Sequence, residues 1–180
     1  VDTVVDAKCS ECGSSLTFGE TTQLYLEISK LTPEITEYLN DHKQWRKNAI
    51  AFTRKYIDEG LRDRAITRDL DWGIDVPKAG YESKKVYIWA ENVLGYLSAS
   101  GVLCAERNIS FAALFGAGAG ANARHYYVHG KDNIPFHTIL LPALLLAHGG
   151  DFCGGFHLPD DIISSEYLTL ERRKISTSQN

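Results

Sequence analysis

The order of residue types between Arg124 and His148, RHYYVHGKDNIPFHTILLPALLLAH, leaves few folds open. Tyr126, Tyr127 and Val128 suit a pleated, half-buried strand. Gly130 admits the backbone angles that a sharp strand-to-helix turn needs. Asp132 is placed to cap a helix by accepting a hydrogen bond from a free amide at its N-terminus. Pro135 falls in the first helical turn, where a missing N–H does little harm. Ile139, Leu140, Ala143, Leu144 and Ala147 then recur at helical spacing and make one apolar face. A turn at the carboxyl end of a strand, opening into a helix, is where open α/β sheets bind ligands. His129, Lys131, Asp132, Asn133 and His137 all crowd that turn. An ordinary strand–helix unit with polar loop residues has the same pattern, because a fold does not by itself give a function.

The chain has 180 residues, 44% hydrophobic and 23% charged, which suits one domain or one domain with an appendage. A net charge of −4 argues against a general nucleic-acid-coating surface and leaves room for a local basic patch. No run approaches the roughly 18 apolar residues of a membrane span, and no secretory signal opens the chain, so no membrane partner is expected. There is no methionine; Val1 is not a translation start, and the chain reads as an excerpt of a longer protein. Of Cys9, Cys12, Cys104 and Cys153 only the first two lie close together, which argues against a disulfide framework and for a reducing cytoplasm.

Cys9-Ser10-Glu11-Cys12-Gly13 places two thiols on one tight turn. It is half a zinc knuckle, a redox pair or two unrelated thiols; a closed zinc site wants four ligands, and only two are near. Leu24, Leu26 and Ile28 alternate with polar residues, predicting a strand over 23–29. Thr32-Pro33-Glu34 starts a helix by cap and N1 proline. A second helix is expected from about His42 to Glu59, with Trp45, Ala49, Phe52 and Tyr56 on one side. Residues 61–77 carry Arg62, Arg64, Arg68, Asp63, Asp69 and Asp71. Most such runs are solvated surface, yet guanidinium suits phosphate, so one arginine is a nucleotide candidate. Residues 85–89 read as a strand and 91–100 as a helix with Val93, Leu94 and Leu97 facing inward. Trp89 and Tyr96 then form an aromatic wall or simply fill core. Gly116, Gly118 and Gly120 imitate a dinucleotide fingerprint but precede a strand instead of following one, so they lack the required context and read as a flexible surface loop. Residues 162–170 read as a strand or a hairpin around Ser165-Glu166. Arg172-Arg173-Lys174 followed by hydroxyls suits a polyphosphate, or is a frayed basic tail.

Five blocks in this order resemble the methionyl-tRNA synthetase family, which belongs to the class I aminoacyl-tRNA synthetases. They are CSECG at 9–13, LRDRAITRDLDWGIDVP at 61–77, VYIWAENVLGYLSAS at 86–100, HYYVHGKDNIPFHTILLPALLLA at 125–147 and IISSEYLTLERRKISTS at 162–178. KISTS resembles the lysine–serine signature loop of that class, with Thr177 where many relatives have a second lysine. The resemblance implies an α/β fold: the second half of a Rossmann-like catalytic domain, with parallel strands and crossing helices, over 61–180. Residues 1–60 would be the end of a zinc-knuckle connective peptide with two helices. It implies activation of methionine by ATP with Mg2+, then transfer to tRNA(Met), in the cytoplasm. Trp89, Val93, Tyr96, Asn133 and His137 would line the methionine pocket. Gly130 and Asp132 would hold the ribose, flanked by His129 and Lys131, with Ile163 at the adenine. Lys174, Ser176 and Ser178 would steady the leaving phosphates, and Arg68 the charge of the substrate complex. Cys9 and Cys12 would give two thiolates to a structural Zn2+.

The family's His-x-Gly-His segment, first cysteine pair, stem-contact helices and anticodon-binding helical domain lie outside these 180 residues, so the partners implied include the remaining catalytic half and that domain. The aspartate-alanine-proline of many relatives is Glu91-Asn92-Val93 here, which alters the pocket floor. The chain alone is expected not to form methionyl-adenylate. A non-catalytic nucleotide- or tRNA-binding module is the alternative from a different class, and a zinc-ribbon interaction module is a third.

Overall fold

Tyr126 to Gly130 and Asp161 to Ser165 run side by side and parallel, and Tyr127 and Ile162 of that pair pack into the core. The computed structural model describes residues 4–5, 8–9, 12–17, 19–121, 123–170 and 173–174. In chain order, β1 (Val4–Val5) pairs antiparallel with β2 (Lys8–Cys9). β3 (Tyr25–Leu26) pairs antiparallel with β4 (Arg64–Ala65), and α1 (Thr32–Asp41) and α2 (Lys47–Asp58) lie between them. β5 (Thr67–Asp69) pairs antiparallel with β6 (Lys84–Val86). A helical run comes next: α3 (Ile88–Glu91), a 3₁₀ turn at Asn92–Leu94, α4 (Gly95–Arg107) and α5 (Phe111–Phe115). β7 (Tyr126–Gly130) leads through a 3₁₀ turn at Lys131–Asn133 and a π turn at Phe136–Leu140 into α6 (Leu141–Ala147), and the chain returns as β8 (Asp161–Ser165). β9 (Thr169–Leu170) and β10 (Arg173–Lys174) form a hairpin.

In the parallel pair Tyr127 sits opposite Ile162 and His129 opposite Ser164, so these four point to one side. Ile162 packs with Tyr38, Trp45, Ala49 and Ile134. Ile28, Ile35 and Leu61 pack with Ile139 and Ala143, and Val93 with Leu141 and Leu145. Helices α1 and α2 thus share a core with residues beyond 61, across the expected boundary. On the other face Tyr126 is 56% and Val128 74% exposed, although parallel strands are usually covered on both faces.

Several elements differ from expectation for local physical reasons. The strand foreseen over 23–29 stops at Leu26, because Ile28 enters a 3₁₀ turn that buries its side chain, and the Asp63 carboxylate accepts the Ser29 N–H at 3.0 Å. The second helix begins at Lys47, not His42. Trp45 lies in the preceding turn, buried, and its Nε1 donates to the Asp160 carbonyl at 3.0 Å. The strand expected over 85–89 ends at Val86, and Trp89 is helical because the Tyr87 carbonyl accepts the N–H groups of Ala90 and Glu91. Helix α4 runs past Ser100 to Arg107 and stops where Asn108 turns left-handed at φ 52°, a conformation asparagine tolerates.

The glycine-rich stretch is packed, not loose. Phe115 and Ala119 are buried, and a Cβ on Gly116 would meet the Ala112 carbonyl oxygen at 2.7 Å. The apolar stripe after β7 also moves. Pro142 has no N–H to give, and its ring would crowd the carbonyl four residues back. A π turn precedes it, with the Leu141 N–H reaching the Phe136 carbonyl, and the extra residue rotates the succeeding helix by about 100°. Leu141, Ala143 and Leu145 are therefore the buried residues, not Leu140, Leu144 and Ala147. The hairpin foreseen around Ser165-Glu166 lies further on, between β9 and β10.

Candidate functional site

Alternation along β7 turns Tyr127 and His129 inward, and the π turn brings His137 up beside them. The rings of His129 and His137 stack at 4.2 Å, and Tyr127 stands 5.4 Å from His137. From α4, Tyr96 meets Tyr127 edge-on at 5.0 Å, and its hydroxyl lies 2.9 Å from His137 Nε2. His137 Nδ1 lies 2.8 Å from the Asn133 carbonyl oxygen. A carbonyl only accepts, so Nδ1 carries the proton, Nε2 accepts, and the Tyr96 hydroxyl donates. Burial pushes His137 down to about 4 against the opposing pull of the Asn133 carbonyl, and the ring is neutral at pH 7. π turns recur at functional sites, and this one sets the height of the imidazole.

Trp89 continues the wall by stacking on Phe136 at 4.9 Å and 25°. Val93, 3% exposed, packs below with Leu141. Trp89 and Tyr96 remain 44% and 43% exposed, so one side of the slot is open. An aromatic slot with a neutral imidazole and a hydroxyl at its end suits an apolar or thioether side chain, which gains from sulfur–aromatic contact. All five residues expected at the methionine pocket belong to this group: Trp89 through Phe136, Val93 through the core beneath it, and Tyr96, Asn133 and His137 through direct hydrogen bonds.

One turn earlier on the same segment lies a polar group. Gly130 is extended at φ −71°, so the turn does not need a glycine for its angles; a Cβ there would meet nothing within 4 Å, and the space beside the backbone is open. Asp132 does not cap a helix. Its carboxylate accepts the Tyr167 hydroxyl. Lys131 pairs with Glu166 at 2.6 Å and sits 4.3 Å over the Tyr167 ring. Asn48 Nδ2 donates to Glu166 at 2.9 Å, and Lys131, then Asn48, hold the Glu166 carboxyl below its ordinary range. These side chains border a cleft of about 440 Å³, with Phe52 and Lys55 on its far side. His129 Nδ1 lies 2.9 Å from the Gly130 carbonyl, its pKa lowered by burial, and its Nε2 is buried without a partner among the described residues. Ile163 pairs with Val128 in β8, half-buried.

Other expected residues stand apart. The Arg68 guanidinium lies 4.0 Å over the Tyr87 ring, and its Nη1 donates to the Ala65 and Thr67 carbonyls at 3.1 and 2.7 Å. Lys174 lies in β10, opposite Thr169; Ser176 and Ser178 lie outside the described residues. Cys9 and Cys12 share a turn in which Gly13, at φ 70°, donates its N–H to the Cys9 carbonyl at 2.9 Å. Hydrogen bonds from Ser14, then from Cys9, lower the exposed Cys12 thiol. Among the described residues no group of three or more His, Cys, Asp or Glu could hold a metal.

Four site residues were missed: Phe136, Tyr127, Glu166 and Tyr167. Tyr127 was legible, two residues before His129 and so on the same strand face. The other three are set by tertiary contacts.

The model of the family described as "tRNA synthetases class I (M)" matches residues 1–180. The chain belongs to this family. Similar curated members include methionine–tRNA ligase 1 of Alkaliphilus oremlandii, 47% identical over 174 residues, covering 96% of this chain and 31% of that protein. The methionine–tRNA ligase of Bacillus mycoides is 44% identical over 180 residues, covering 98% and 31%. Among solved structures, Mycobacterium tuberculosis methionyl-tRNA synthetase bound by methionyl-adenylate superposes with a TM-score of 0.71 at 22% identity, over 98% of this chain and 32% of that one. The class I synthetase fold, with its helices and parallel strands, is therefore that of this chain, and the resemblance carried by the five blocks holds across it. The chain spans about a third of the length of these family members.

Proposed function

We propose that this segment belongs to a methionine–tRNA ligase and contributes its methionine slot and its ribose cradle. The observation that carries this reading is the neutral His137–Tyr96 pair, walled by Trp89 and Phe136, one turn from Lys131 and Asp132. In the reaction a methionine carboxylate oxygen bonds to the α-phosphorus of ATP, and the bond to pyrophosphate breaks. The tRNA(Met) 3′-terminal hydroxyl then attacks the carbonyl and AMP leaves. Such chemistry is mostly positioning and charge stabilisation. The slot holds the thioether, with Val93 and Asn133 at its edge. Asp132 accepts from ribose hydroxyls, and Gly130 leaves room for the sugar. His129 and Lys131 flank it, and the backbone at Ile163 meets the adenine. Lys174, Ser176 and Ser178 steady the departing phosphates, and Arg68 stabilises the charge of the substrate complex. Mg2+ travels on the phosphates, as it does where protein ligands are few. The names of the Alkaliphilus and Bacillus relatives and the methionyl-adenylate of the Mycobacterium structure support the same reading.

Cys9 and Cys12 fit half of a tetrahedral thiolate site in a connective peptide, since the knuckle turn is formed and the Cys12 thiol is lowered. A structural zinc there fastens the fold. The exposure of Tyr126 and Val128 on β7 supports the view that the remaining catalytic half covers that face. The anticodon-binding domain and tRNA(Met) then belong to the intact, cytoplasmic protein.

Methionine-dependent ATP–pyrophosphate exchange by the full-length protein tests this. Exchange with methionine and none with leucine is expected, and the 180-residue chain alone is expected to give none. Nucleotide or tRNA binding by the full-length protein without exchange would point to a non-catalytic module instead.

A further inference from the structure

Glu166 and Tyr167 were not expected at the site, yet they close a chain of contacts that begins in the core and ends on the two polar residues of the turn. Ser164 Oγ donates to Asn48 Oδ1 at 2.7 Å, and Asn48 Nδ2 donates to Glu166 at 2.9 Å. Glu166 pairs with Lys131 at 2.6 Å. The Lys131 ammonium lies over the Tyr167 ring, and the Tyr167 hydroxyl donates to Asp132 Oδ1. Asp132 is exposed on a short turn, and a carboxylate there has free rotation unless something holds it. One hydroxyl uses one of its roughly four lone-pair sites and leaves the rest facing outward. Ser164 is 1% exposed, so the far end of the chain is fixed in the core.

We infer that Tyr167 and Glu166 are positioning residues for the nucleotide: Tyr167 orients the Asp132 carboxylate toward the ribose, and Glu166, held by Asn48, keeps Lys131 beside it. This rests on the proposed ribose role of Asp132. Tyr167 is also two residues from Thr169, where the hairpin carrying Lys174 begins.

The test is pyrophosphate exchange by the full-length protein with ATP, 2′-deoxy-ATP and 3′-deoxy-ATP. Tyr167→Phe should raise the KM for ATP about tenfold, the effect of losing one hydrogen bond to a charged group, with the methionine KM and kcat changed less than about twofold. The penalty should vanish with the deoxynucleotide that lacks the hydroxyl Asp132 accepts from. A penalty that persists with both deoxynucleotides overturns the inference, because a merely structural role does not depend on the sugar. An unchanged ATP KM in Tyr167→Phe, where Asp132→Asn raises it, overturns the inference and leaves the proposed function standing. An Asp132→Asn variant with unchanged ATP KM removes the ribose cradle itself. Should Tyr167→Phe fail to accumulate, Glu166→Gln probes the chain from its other end: the ATP KM should rise about threefold, and no rise overturns the proposal.

Discussion

Acidifying the protein removes a definite amount of stability through one ring. His137 is 5% exposed and its pKa falls from 6.5 to about 4, chiefly by burial. Between those values the unfolded chain binds a proton at this ring and the folded chain does not, so the unfolded state gains. The contribution is complete above pH 6.5 and is lost as the pH falls toward 4; below that both states are protonated. The slope is at most about 1.4 kcal/mol per pH unit, which over that interval comes to about 3 kcal/mol. His125 and His129 are also lowered by burial and act in the same direction, so the measurement is a difference. Urea unfolding from pH 7.5 to pH 4 is followed for the native protein and for His137→Asn. The native protein should lose about 3 kcal/mol more than the variant across that range. Parallel curves, or an imidazole resonance of His137 titrating near 6.5, would refute the reasoning.

The same contacts predict other outcomes. Tyr96→Phe leaves His137 Nε2 without its donor and should raise the methionine KM about fivefold to tenfold with the ATP KM unchanged, read by pyrophosphate exchange. Gly116→Ala should lower stability by about 1–3 kcal/mol in thermal melts, since its φ of −72° is ordinary but a Cβ would sit 2.7 Å from a carbonyl oxygen. Thr138→Val should cost about 1 kcal/mol in urea unfolding, because Thr138 links the Thr53 hydroxyl at 2.8 Å and the Ile134 carbonyl at 2.9 Å in the core. Cys12→Ser in the full-length protein should reduce bound zinc, measured by atomic emission, by at least about tenfold.

The strand, the turn and the crowd of polar residues around Asp132 were legible because local pattern decides them: aromatic and β-branched residues at Tyr126–Val128, and a carboxyl-end turn for the rest. The candidate pocket residues Trp89, Tyr96 and His137 came from the resemblance, since spacing alone did not separate an aromatic wall from core. Most of the features that were missed depend on contacts between distant segments, and one on a proline inside its own helix. Trp45 leaves its helix because a carbonyl at Asp160 receives its indole N–H. The stripe after β7 rotates because Pro142 forces a wider turn before it. Gly116 and Gly120 are small because Ala112 and Cys153 come close to the first and His157 to the second, which no spacing rule encodes. Charge marked Arg68 only as one of several arginines and the resemblance singled it out; the structure sets it over the Tyr87 ring and against the Ala65 and Thr67 carbonyls.

The most direct measurement is a crystal structure of the full-length protein with a non-hydrolysable methionyl-adenylate analogue. The thioether should lie against the Trp89 ring within reach of Tyr96 and His137, with a ribose hydroxyl donating to Asp132. An analogue bound so that it touches only one of Trp89 and Asp132, or neither, would contradict the shared site.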